Sequence, residues 1–227
     1  MDDTDLGRLL PDAKDWPMPE RRPFVGRYVR LEPLSLDHLD ALWDAVRGAD
    51  DSFTFLKYGP FAERAELGAL LGDLSTRADQ PFWAVIPEGQ GPCGWASICD
   101  IYQRDAAIEI GSIWFAPALQ GTRAAREALF LLMCHAMDDL GYERLVWRCQ
   151  AQNAKSFRAA ETLGFTHEGT WRRAAIVDGW QRDVAWFSIL REEWPARRAA
   201  LAAWLAPENF DATGRQHRSL RELRPAS

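Results

Sequence analysis

The stretch Phe115–Ala128, FAPALQGTRAAREA, ends an apolar run, turns through Pro-x-x-Gln-Gly and opens a helix rich in alanine. The run that feeds it, AIEIGSIWFAP (Ala107–Pro117), reads as a strand. The helix runs from Thr122 to a terminating Gly141, and YERLVWRCQA comes after it as another strand. A strand, a long helix and a strand in that order call for a right-handed crossover, with the two strands parallel and the helix on one sheet face. The same junction leaves helix-start N–H groups pointing at open space, which suits an anion, most often a phosphate.

The rest of the chain adds antiparallel strands to this unit. Arg27–Leu34 alternates polar and apolar residues as a strand does, and a helix succeeds it with Ser35 as N-cap and Leu36, Leu39, Leu42, Trp43 and Val46 on one face. An aromatic loop, DDSFTFLKYGPF, leads into a second helix, AERAELGALLGDLSTRA. Pro81–Glu88 and Cys93–Tyr102 form a hairpin across GQGP. After YERLVWRCQA comes a short helix with Asn153 at its cap and Gly164 at its end, then two strands around VDGWQRD and a helix, PARRAALAAWL. The expected class is α+β, with a mixed and mostly antiparallel sheet. Residues 1–24 read as an arm loosely leading in, 25–195 as the domain, and 196–227 as a C-terminal helix and tail with no strong pattern from Pro207.

Bulk properties exclude several functions. The 227 residues suit one domain, and 47% hydrophobic with 26% charged residues is globular composition. The formal charge of -6 argues against a general nucleic-acid binder, which needs a basic face. No apolar run is long enough to span a bilayer, and the acidic start has no signal-peptide pattern, so a cytoplasmic protein is expected. Cys93, Cys99, Cys134 and Cys149 show no C-x-x-C spacing and no histidine cluster, so no metal is expected. The turn Ala118–Gly121 has neither the Lys of a P-loop nor the G-x-G-x-x-G of a dinucleotide site.

Single residues carry two readings each. Gln120, Gly121, Thr122, Arg123, Ala124 and Ala125 form either a pyrophosphate loop or a plain turn. Asn153 and Ser156 are local capping residues on the bland reading. Glu109 is either a solvent-facing strand residue or a carboxylate placed to take a proton, in which case burial raises its pKa. Phe53, Phe55, Tyr58 and Phe61, with Asp50 and Asp51, either lid the core or receive a cationic amine.

The segment QNAKSFRAAETLGFTHEGTWRRAAIVDGWQRDVAWFSILREEW carries N-x-x-S, L-G-F-x-x-E-G and G-x-x-R-D in order. It resembles the C-terminal half of the Gcn5-related N-acetyltransferase (GNAT) superfamily, RimJ/RimL-like branch, and the order of elements agrees from about Val25 to Trp194. The resemblance implies flanking helices on a sheet with a splayed strand pair, into which the pantetheine arm of acetyl-CoA inserts along Ile113, Trp114 and Phe115. It implies a phosphate loop Q-x-x-G-x-G/A, matched here at Gln120 and Ala125, with Arg123 replacing the usual Gly. Asn153 then meets the cofactor arm, Ser156 protonates the leaving thiolate, and the aromatic loop borders the acceptor. The function implied by the resemblance is that of an acyl-CoA-dependent N-acyltransferase acting on a small-molecule amine or a peptide N-terminus. Acetyl-CoA is the expected donor, with succinyl-CoA allowed, and a homodimer is compatible. The rival reading is a non-catalytic CoA-binding or ligand-sensing protein on the same fold.

Overall fold

A computed structural model describes residues 7–10 and 14–224. Eight strands form one sheet: β1 (Phe24–Val25), β2 (Val29–Pro33), β3 (Phe82–Pro87), β4 (Gly94–Tyr102), β5 (Ala107–Phe115), β6 (Arg144–Gln150), β7 (Thr166–Val177) and β8 (Trp180–Leu190). Their spatial order is β1-β2-β3-β4-β5-β6-β8-β7. Every neighbouring pair is antiparallel except β5 and β6, which run parallel as the strand–helix–strand order requires. The helices are α1 (Leu39–Val46), α2 (Arg64–Thr76), α3 (Arg123–Cys134), α4 (Ala154–Leu163), α5 (Trp194–Leu205) and α6 (Leu220–Leu223).

Two apolar cores lie on opposite sheet faces. One joins α3, α4 and α5 to Ile98, Ile108, Ile110, Leu145 and Phe187. The other joins α1 and α2 to Phe82, Ile86, Trp95 and Trp114. Local signals account for the helix ends. Ser35 caps a 3-10 turn that leads into α1, and Gly164 closes α4 in the left-handed region at φ +100°. The long helix expected to Gly141 widens into a π turn over His135–Asp139 before that glycine.

Three expectations need correction. The stretch 1–24 is not loose where it is described: Trp16 is buried in the larger core and its indole donates to the Gly141 carbonyl at 2.7 Å. The patternless tail also packs, since Phe210 sits edge-on to Trp204 and Leu220 is buried. The line drawn between 195 and 196 crosses a continuous core, because Leu201 and Trp204 share it with α3. A buried carboxylate ties the turn between β1 and β2 to α3. Glu127 on α3 accepts from the backbone N–H groups of Arg27 and Tyr28 at 2.9 and 2.6 Å. Gly26 is required beside it, because a Cβ there would collide with the Glu127 carboxyl group.

Candidate active site

Pairing between β5 and β6 stops early. Ala107, Ile108 and Glu109 face Arg144, Leu145 and Val146, and beyond Glu109 the two strands share no pairing. From there β5 stays with β4, and β6 stays with β8 as far as Gln150. The result is a wedge with backbone edges open on both sides. A bulge marks its mouth: the register between β4 and β5 shifts between Trp95 and Ser97, and Ser112 opposite it has φ +48°. Gln80 pins the bulge by donating to the hydroxyls of Ser97 and Ser112, each at 2.9 Å.

The turn after β5 meets the wedge. Gln120 donates back to the Phe115 carbonyl at 2.9 Å, and Gly121 takes φ +76°. Thr122 is the N-cap of α3, its hydroxyl accepting from Ala125 N–H at 3.1 Å. The N–H groups of Arg123 and Ala124, at the first two helical positions, have no acceptor within the helix. Arg123 does not extend freely over this turn, however. Its guanidinium lies 4.8 Å from the Tyr28 ring and 4.4 Å from the Phe210 ring, and Arg126 lies 4.2 Å from Trp204. The turn, Arg123, Arg126 and the tail at Phe210 and Gln216 line an open cavity of about 380 Å³.

Across the wedge, Asn153 caps α4 by accepting from Ser156 N–H at 3.1 Å. The Ser156 hydroxyl accepts from the Trp147 indole of β6 at 3.1 Å. A hydroxyl oxygen occupied as an acceptor keeps its own proton free to donate elsewhere. Cys149 stands beside it, its thiol pushed up by burial.

Glu109, the last residue of β5 paired with β6, is not solvent-facing: it is 5% exposed. Burial pushes its carboxyl up to about 8, against hydrogen bonding from Arg148 and the charge of Lys57. Arg148 Nε lies 2.5 Å from Glu109 Oε2, and a second guanidinium nitrogen pairs with Asp100. Cys99, Asp100 and Glu109 offer ligand atoms within 4.8 Å of one another, and the cation already among them is this guanidinium.

This wedge, loop and helix start coincide with a known family. The family description "Acetyltransferase (GNAT) domain" matches residues 29–166, more than half of the chain. The chain belongs to the GNAT acetyltransferase family. A GCN5-related N-acetyltransferase from Brucella melitensis is 44% identical, with a TM-score of 0.92 over 95% of this chain and 99% of that one. A probable GNAT-family acetyltransferase from Chromobacterium violaceum ATCC 12472 is 36% identical, with a TM-score of 0.78 over 83% of this chain and 96% of that one. Among curated proteins, "Putative ribosomal N-acetyltransferase YdaF" of Bacillus subtilis (strain 168) is 29% identical over 106 residues, 47% of this chain and 57% of YdaF. The chain thus spans just over half the length of the curated relatives it matches, and the name of YdaF agrees with the RimJ/RimL-like branch.

Within this GNAT fold the expected site residues divide. Glu109 ends the pairing of β5 with β6, Gln120 bonds the end of β5, and Ser156, held by Asn153, bonds Trp147 of β6, whereas the side chains of Ala124 and Ala125 are buried in the larger core, which leaves only their backbone to a ligand. Ile113 and Phe115 are partly buried and pack on the larger core, whereas the Trp114 side chain is 1% exposed on the opposite face, so only its backbone is available to a ligand. Phe53 is no pocket wall: it is 3% exposed and stacks on Trp114 at 5.1 Å, which makes it core. Phe55 is half-buried, and its carbonyl accepts from Gln150 at 3.3 Å. Tyr58 accepts from the Trp95 indole at 3.0 Å, and burial pushes its phenol up to about 12. The sequence placed Trp147 only among the strand tryptophans of the core or pocket wall, and Arg148 and Asp100 were passed over. A signal for the first two was present in strand alternation. They are the first residues of β6 past the last paired position, Val146, and they point to opposite faces, toward Ser156 and toward Glu109.

Proposed function

We propose that the protein is an acetyl-CoA-dependent N-acetyltransferase acting on a primary amine, at a peptide N-terminus or on a small molecule. The observation that carries this reading is the wedge between β5 and β6, with the α3 start and Ser156 on its two sides. Open strand edges fit the amide-bearing pantetheine arm, and the free N–H groups of Arg123 and Ala124 fit its pyrophosphate. YdaF's name supports the peptide arm of the acceptor class. Family membership favours catalysis over a ligand sensor.

Bound acetyl-CoA supplies the thioester that the amine attacks. The chain's own residues handle the protons. Ser156, oriented by Trp147, donates its hydroxyl proton toward the departing sulfur and recovers one from the attacking nitrogen, which sheds its second proton as the amide forms. Glu109 takes a proton from the acceptor's ammonium group, since only the neutral amine has a lone pair to offer. Asn153 fixes the first turn of α4 and so the place of Ser156.

Incubation with acetyl-CoA and a panel of peptides and small amines, read by a mass gain of one acetyl group, tests the reaction. No gain on any acceptor, with no CoA binding by calorimetry, defeats the reading. The base is tested by the pH profile. A carboxyl raised to about 8 loses its basic form as pH falls through that value, so kcat/KM of the wild type should decline on the acid side. Glu109→Gln should lower kcat/KM by about 10²-fold or more near neutral pH, with the deficit narrowing as rising pH supplies free amine. An overlay of the two profiles from acid to alkaline pH removes Glu109 as the base.

A further inference from the structure

We propose that Asp100 and Arg148 are positioning residues for Glu109, and that Arg148 passes from Glu109 to Asp100 when the ammonium group of the acceptor arrives. This rests on the reading of Glu109 as the base.

The geometry is that of one cation shared by two acids. Arg148 uses Nε for Glu109 and a different nitrogen for Asp100, so one contact can open while the other holds. The two carboxylates differ in need. The Glu109 side chain is 7% exposed and the Asp100 side chain 40%. A buried carboxylate stripped of its cation is strongly destabilised, whereas a wet one is not. Arg148 satisfies Glu109 in the form of the free enzyme that carries the carboxylate, and an incoming ammonium satisfies it in turn.

Asp100 reaches this cluster only because the backbone turns it there. Its neighbour Cys99 pairs with Glu109, so simple alternation would send Asp100 to the other sheet face. The register shift between Cys99 and Tyr102 and a φ of +40° at Asp100 bring its carboxylate round to Arg148. A non-glycine residue at positive φ carries a conformational cost, and such costs gather where a side chain must be aimed. Arg148 is also steadied from below. It sits opposite Trp186 on β8, with its guanidinium 4.8 Å from that ring. The charged and titratable groups around Glu109 are Cys99 and Asp100 from β4, Arg148 from β6 and Lys57 from the loop before α2.

The proton balance closes. The ammonium gives one proton to the Glu109 carboxylate, leaving a neutral amine and a neutral carboxylic acid. That acid needs no cation, so Arg148 remains on Asp100 through the transfer. Return of Arg148 then favours the carboxylate and sends the proton to solvent. The site therefore favours acceptors that arrive as protonated amines.

Carbon-13 NMR of the glutamate carboxyls in the full chain tests the arrangement, with the Glu109 signal identified by its loss in Glu109→Gln. Arg148→Met should raise the Glu109 midpoint by about one pH unit or more, a tenfold gain in proton affinity. Arg148→Lys should recover part of it, and Asp100→Asn should lower the midpoint because the guanidinium then serves Glu109 alone. Shifts in one direction only, or none, overturn the proposal, and Asp100→Asn with Arg148→Lys decides it if Arg148→Met does not fold. The Arg148 Nε–H signal should move with n-butylammonium chloride and not with sodium chloride at equal ionic strength, and should stay put in Asp100→Asn. An equal response to both salts overturns the exchange. If the midpoints move as stated while the acid limb of kcat/KM survives in Glu109→Gln, the fault lies with Glu109 as base, not with the sharing of Arg148.

Discussion

At its start β5 lies paired to β6, with Ile108 and Leu145 fully buried between the sheet and the helices on one face. Past Glu109 the same two strands part, and the residues along the gap become mixed: half-buried Ser112, Ile113 and Phe115 on one side, Arg148, Cys149 and Gln150 on the other. The closed end is an ordinary core. The open end lacks backbone pairing between its two strands and gathers polar side chains instead. One strand pair thus divides into a part that holds the fold and a part that lines the proposed site, and substitutions on the two sides of Glu109 should separate stability from activity.

The largest effect is expected at the closed end. Leu145 is fully buried in the larger core, so Leu145→Ala should cost about 2–5 kcal/mol of unfolding free energy. Urea unfolding measures it, and kcat of the folded fraction should stay as in the wild type. A stable variant with a changed kcat would break the division between the two ends.

The closed end was also the more legible in the sequence. Apolar alternation in AIEIGSIWF and YERLVWRC, a helix between them and Gly141 at its end are enough to demand a parallel pair and a covered face. The open end was legible through Gln120, Asn153 and Ser156, whose types and spacing carry a family pattern, and through Glu109, a carboxylate in an otherwise apolar strand. What escaped depends on register. Arg148 meets Glu109 because the pairing ends at Val146, and Asp100 meets Arg148 because of an extra residue in β4. Neither a pairing limit nor a bulge has a marker in residue type here. Phe53 was misplaced for a related reason: aromatic residues in a loop look alike whether they stack on a core tryptophan or face a ligand.

A smaller effect is expected across the open end. Ser156→Ala should lower kcat by about 10²-fold if the hydroxyl is the proton donor, with little change in CoA affinity. Stability should fall by about 1 kcal/mol, because the Trp147 indole N–H loses its acceptor. Trp147→Phe sharpens the comparison. It leaves the hydroxyl in place but removes the group that orients it, so kcat should fall less than in Ser156→Ala. Equal kcat in Ser156→Ala and wild type would reduce Ser156 to part of the α4 cap.

The smallest effect is expected at the mouth of the wedge, where Arg123 stands in a position that the family usually gives to glycine. A cation there has two possible uses. It can add charge for a phosphate, or it can fasten the C-terminal tail to the loop. The stacking favours the second, since the guanidinium is held between Tyr28 and Phe210, and Phe210 belongs to the tail. The backbone N–H groups that face the proposed phosphates do not depend on this side chain. Arg123→Ala removes both the charge and the stack while keeping a good helix former at the first helical position. CoA affinity by calorimetry should weaken by less than tenfold, under about 1.4 kcal/mol, while amide exchange around Phe210 and Gln216 should quicken. A loss of CoA affinity well beyond tenfold with the tail still protected would reverse the assignment. The arginine would then be a phosphate ligand, compensating by charge for the close backbone approach that the missing glycine allows in other members of the family.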